Sequence, residues 1–193
     1  MRRIIIGISG ATGTIYGIRL LEILRQHADV ETHLVISEPA ELTIRLETDY
    51  SVEQVAGLAH RRYDVRDVGA AISSGSFQTA GMVVAPCSMK TLSGIANSFN
   101  ENLLVRAADV VLKEHRRLIL VPRETPLHLG HLRLMTQVAE MGAILVPPMP
   151  AFYNRPTSVD EIVNHTVARL LDLLGVDHPG LARRWGGAVG PSE

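Results

Sequence analysis

Residues 3 to 17 read RIIIGISGATGTIYG, a β-branched run that breaks into glycines and then opens a helical pattern. That order predicts the first βα unit of a nucleotide-binding α/β fold. Such a turn aims backbone N–H groups and a helix N-terminus at one spot, which suits an anion. Its spacing, Gly7-x-x-Gly10-x-x-Gly13, is not the dinucleotide G-x-G-x-x-G. No Gly-Lys-Ser/Thr follows, so it is not a P-loop. The second strand ends in Ser37, where a nicotinamide site usually carries an acid for the ribose, and Glu38 comes one residue late. Both features argue against an NAD enzyme. A tight strand–helix turn that binds nothing is the alternative reading.

Strand and helix patterns alternate to the end of the chain. Apolar residues at helical spacing follow the turn to about His27, and 32 to 37 reads as a second strand. Helical patterns cover 41 to 46 and, more weakly, 51 to 59. The charged stretch 60 to 67 reads as surface. The near-continuous apolar run at 81 to 86 predicts a parallel strand covered on both faces, and 117 to 122 and 143 to 147 read as the next and last strands. Helices are expected just after Pro86, over 103 to 114 and over 126 to 141. A proline-rich loop (Pro147, Pro148, Pro150, Pro156) leads to Ser158-Val159-Asp160-Glu161, a capping box for the final helix. The expectation is a single domain, 1–175, with a doubly wound parallel sheet, and a Gly- and Pro-containing C-terminal tail, 176–193.

At 193 residues the chain can bury a full core, and its formal net charge of -1 gives no electrostatic reason to expect nucleic acid. The one cysteine, Cys87, precludes an internal disulfide and suits a reducing compartment. The apolar run behind the basic N-terminus is too short for a signal peptide, and no segment reads as a membrane span. A cytoplasmic location is expected.

In doubly wound sheets ligands bind beyond the carboxyl ends of the strands, and four such ends carry small, hydroxyl or charged residues: Gly10 to Gly13, Ser37, Cys87 to Thr91, and Arg123-Glu124. The run from Ser88 to Thr91 offers hydroxyl and N–H donors at a helix start, with Lys90 adding charge. An ordinary helix cap is the plainer reading. Cys87 has no local His or acid to activate it as a nucleophile. Arg106, Asp109 and Lys113 share one helix face, which by itself describes a solvated stripe. With Arg123 and Arg169 these cations are numerous enough to neutralise a dianionic phosphate, and Tyr153 adds a donor. His128 and His131 lack the further ligands of a metal site, so no metal is expected.

Taken together, GATGTIYG (10–17), LETD (46–49), SSGSF (73–77), PCSMKTLSG (86–94), RAADVVLKE (106–114), VPRETP (121–126) and PAFY (150–153) resemble the flavin prenyltransferases, the UbiX family. The resemblance implies a flavodoxin-like α/β domain in a homododecamer. It also implies transfer of a dimethylallyl group from dimethylallyl phosphate to N5 and C6 of reduced FMN, without a metal. The product, prenylated FMN, serves UbiD-type decarboxylases. By this resemblance Gly10, Ala11, Thr12, Ser37, Ser88, Met89, Lys90, Thr91 and Arg123 contact FMN. Arg106, Lys113, Tyr153 and Arg169 hold the prenyl donor. Glu124 is the acid near the leaving phosphate, Lys113 stands with it in the chemistry, and Glu47 and Thr12 lie near flavin N5. Many members carry Ser where this chain has Thr12. A flavin-dependent cysteine decarboxylase of the same fold and a non-catalytic flavin carrier are the competing readings. The first lacks its His here, and the second leaves Glu47, Lys113, Glu124, Tyr153 and Arg169 without a purpose.

Overall fold

The computed structural model describes residues 1–184. Six parallel strands form one sheet: β1 (Arg2–Ile8), β2 (Val30–Ile36), β3 (Arg61–Tyr63), β4 (Gly81–Cys87), β5 (Arg117–Pro122) and β6 (Ile144–Leu145). Their order is β3-β2-β1-β4-β5-β6, so the chain winds outward from β1 in one direction and then returns to wind in the other. The switch falls between β1 and β4, where doubly wound folds bind ligands.

Strands β1, β4 and β5 read as near-continuous apolar runs because both their faces are covered. Ile4, Ile6 and Ile8 of β1 face one core, and Ile5 faces the other. The first core is closed by α1 (Thr14–Leu24), α2 (Glu38–Glu47), α3 (Val52–Ala56) and α7 (Val159–Leu174). The second is closed by α4 (Met89–Ala96), α5 (Leu103–Lys113) and α6 (Leu129–Glu140). Thus α5 and α7 lie on opposite faces of the sheet.

Three local features depart from the sequence reading. Residues 61 to 63 of the charged surface stretch form β3, an edge strand whose Arg61 and Arg62 face solvent. Charge on an edge discourages pairing with another sheet, and it also masks the strand pattern. Helix α6 begins at Leu129 rather than near Pro126, because His128 caps it, its Nδ1 accepting from the Gly130 and His131 N–H groups. The capping box at Ser158 is half formed. Its hydroxyl accepts from the Glu161 N–H, but the Glu161 carboxylate turns to the N–H and hydroxyl of Thr157.

Past α7 the chain reverses at Gly175, which holds a left-handed φ of 68°. Val176 and His178 are then buried, and Leu181 packs on the first core. Of the expected tail, 176–184 therefore lies against its own domain, and 185–193 lies outside the described residues.

Candidate functional site

Three chain turns meet at the carboxyl edge of the sheet. Gly13, with φ 95°, ends the glycine turn and begins α1 without a side-chain cap. Ser37 caps α2, its hydroxyl accepting from the Ala40 N–H. Ser88 caps α4, its hydroxyl accepting from the Thr91 N–H and donating to the Thr91 hydroxyl. The loop before α4 is fixed from below. Ser9, wholly buried, donates to the Pro86 carbonyl and accepts from the Ser88 N–H at 2.8 Å. Helix geometry leaves the Met89 and Lys90 N–H groups in the first turn of α4 free for a ligand.

Between these turns lies an open cavity of about 890 Å³. Gly10, Ser37, Ser88, Met89, Lys90 and Thr91 line it, as does Glu124 from the end of β5. Seven of the residues singled out in sequence therefore reach one space, from four strand ends. Its size suits a cofactor-scale molecule. Gly10 is needed for close approach, since a Cβ there would lie 2.4 Å from Cβ of Pro39. Arg66, Phe99, Asn102 and Val105 also line the cavity and were not singled out. They come from loops and a helix start with no motif, so only the fold brings them in.

Ala11 and Thr12 are half-buried in the glycine turn. Glu47, from the last turn of α2, accepts the Gly13 N–H at 2.8 Å, which places its carboxylate beside Thr12 in the chain. Lys90 is exposed and paired with Glu101 at 2.9 Å. The Arg123 side chain is exposed at the end of β5, while its N–H bonds the Cys87 carbonyl. Cys87 itself is wholly buried, and burial pushes its thiol far above the ordinary range. It has no thiolate to offer as a nucleophile.

The cations expected to hold a phosphate divide into two groups. Arg106 donates to the Ser73 carbonyl and pairs with Asp109 at 2.9 Å. Lys113, at the far end of α5, pairs with Glu114. Tyr153 hydrogen-bonds His165 of α7 at 2.9 Å, and Arg169 stands one turn further along that helix, so these two occupy one side. A single chain therefore does not gather Arg106 and Lys113 with Tyr153 and Arg169: the sheet lies between them. His128 and His131 stack on each other at 3.5 Å, and no cluster of three metal-binding side chains exists among the described residues. Among the same residues no helix is long and apolar enough to cross a membrane.

The model of the flavoprotein family matches residues 1–171. The flavin prenyltransferase UbiX of Escherichia coli K12 is 60% identical over 189 residues, which is 97% of this chain and 100% of that protein. The chain belongs to the UbiX flavin prenyltransferases. Two solved structures carry the likeness into three dimensions. A dodecameric FMN-dependent UbiX-like decarboxylase from Escherichia coli O157:H7 is 56% identical, with a TM-score of 0.94 over 96% of this chain and 100% of that one. AnUbiX (PadA1), solved in complex with FMN and dimethylallyl pyrophosphate, is 48% identical, with a TM-score of 0.94 over 97% of this chain and 99% of that one. This membership selects the flavin prenyltransferase reading over the cysteine decarboxylase and the carrier.

Proposed function

We propose that this flavin prenyltransferase joins the dimethylallyl group of dimethylallyl phosphate to N5 and C6 of reduced FMN, with this cavity as the flavin site. The observation that carries the placement is the convergence of the glycine turn, the Ser37 cap, the Ser88 cap and Glu124 on one cavity of flavin size. The N–H groups of Gly10, Thr12, Met89 and Lys90 and the Thr91 hydroxyl suit the ribityl phosphate, and Arg123 offers a cation from the end of β5. Met89, Phe99 and Val105 supply apolar wall for a planar ring.

Reduced FMN supplies the nucleophilic N5 and C6. Breaking the donor's C–O bond leaves the electron pair on phosphate, so cations at the phosphate lower the barrier. Closing the new ring removes one hydrogen from N5 and one from C6. One proton goes to the departing phosphate and one to the middle carbon of the prenyl chain. Glu124, on the cavity wall, is assigned to the proton of the leaving phosphate, and Glu47 with the Thr12 hydroxyl to protons at the ring edge.

Arg106 and Lys113 meet Tyr153 and Arg169 across a subunit boundary in this reading, because one chain holds them on opposite faces of its sheet. A homododecamer, as in the E. coli O157:H7 relative, supplies such boundaries. The product is handed to a UbiD-type decarboxylase in the cytoplasm. Flavin extracted after anaerobic incubation with reduced FMN and donor should activate an apo decarboxylase of that type. Flavin from the same incubation without donor should not. Activation by both, or by neither, sinks the reading.

A further inference from the structure

The one acid beside Arg169 on α7 is already committed elsewhere. Arg169 and Asp172 are three residues apart, a spacing at which an arginine and a carboxylate on a helix normally close into an ion pair. Here they form only a long ion pair, with Arg169 Nη1 3.8 Å from Asp172 Oδ2 and beyond a hydrogen bond. The carboxylate is instead occupied by the segment that follows the helix. Gly175 turns the chain back, burial of Val176 fixes the return, and His178 and Arg184 arrive over Asp172. Asp172 Oδ1 accepts from His178 Nε2 at 3.0 Å and from Arg184 Nη2 at 2.7 Å. Arg184 Nη1 also reaches 3.5 Å from Oδ2, the oxygen that faces Arg169. His178 is 8% exposed and its Nδ1 is buried with no hydrogen-bond partner, so the ring is held in the protein for its Nε2 contact and its packing.

We propose that His178 and Arg184 keep the Asp172 carboxylate from closing onto Arg169, leaving the donors of that guanidinium available to the phosphate of the prenyl donor. Arg184 and Asp172 are then positioning residues, acting through Arg169. This rests on the reading of Arg169 as a donor-phosphate ligand. Without Arg184, the Oδ2 oxygen turns to Arg169 and competes with phosphate for it.

The test is steady-state kinetics with reduced FMN and varied dimethylallyl phosphate on three variants. Arg184 is mostly exposed, so R184Q should fold normally. Closing of the long Arg169–Asp172 ion pair to hydrogen-bond distance should raise the donor KM of R184Q about threefold to fivefold, with kcat at saturating donor little changed. The double variant D172N/R184Q should return KM to the parent value, because Asn cannot ion-pair with Arg169. If R184Q leaves KM unaltered, or if D172N/R184Q fails to restore it, the proposal is overturned. R169Q separates the two claims. An unchanged donor KM in R169Q removes Arg169 as a phosphate ligand, and the inference falls with it. A raised KM in R169Q beside an unaltered R184Q overturns the inference alone.

Discussion

At the scale of residues, His33 shows how an interior side chain ties stability to pH. It lies wholly buried on β2, with Nδ1 bonded to the Tyr63 hydroxyl at 2.9 Å and Nε2 lacking a hydrogen-bond partner. Burial pushes its pKa below the ordinary 6.5, and the Glu31 carboxylate 3.5 Å away only partly opposes this. A group depressed in the folded state favours folding fully above its unfolded pKa. That contribution is lost as pH falls through the folded value. Stability should therefore decline below pH 6.5, and the decline should be shallower in His33→Phe. Urea midpoints of both proteins across that range check this. Equal slopes would mean that His33 is not the source. None of this was legible in sequence, where His33 sits in an apolar run with nothing to mark its partners. By contrast Gly10, Ser37, Ser88 and Glu124 were legible, because a strand end followed by a small or polar residue is a local pattern.

At the scale of elements, α1 packs closely on β4 through Gly17. A Cβ on Gly17 would lie 2.3 Å from the Ala85 carbonyl oxygen and 3.0 Å from the Ile8 side chain. The oxygen belongs to a central strand that cannot move, so α1 must shift bodily. Gly17→Ala should cost about 1–3 kcal/mol, read as a lowered denaturation midpoint. It should also weaken FMN binding, since α1 carries the glycine turn. A midpoint equal to the parent's would show that α1 is not held this closely. Long, strongly patterned elements such as α5 and β4 could be read in advance. The three-residue β3 could not, because an edge strand with arginines outward has no apolar alternation. The start of α6 was misplaced because proline is common at the first helical position, whereas here a histidine supplies the cap.

At the scale of the whole molecule, the division of the residues proposed to hold phosphate predicts that assembly completes the site. Sequence lists Arg106, Lys113, Tyr153 and Arg169 without saying that a sheet separates the first two from the last two. If subunits share a site, Lys113→Gln and Arg169→Gln should each be strongly impaired as homo-oligomers at a donor concentration well below KM. Co-expressed in equal amounts they should recover about a quarter of parental activity, through boundaries that receive an intact residue from each side. No recovery would show that both residues act within one chain. The co-expression result presupposes the reaction itself. The most direct measurement is the mass of flavin extracted after anaerobic incubation of the protein with reduced FMN and dimethylallyl phosphate, taken with the phosphate released. Gain of one prenyl unit per flavin, with one phosphate freed for each, is the result expected here. Unmodified FMN, or phosphate released without a prenylated flavin, would contradict it.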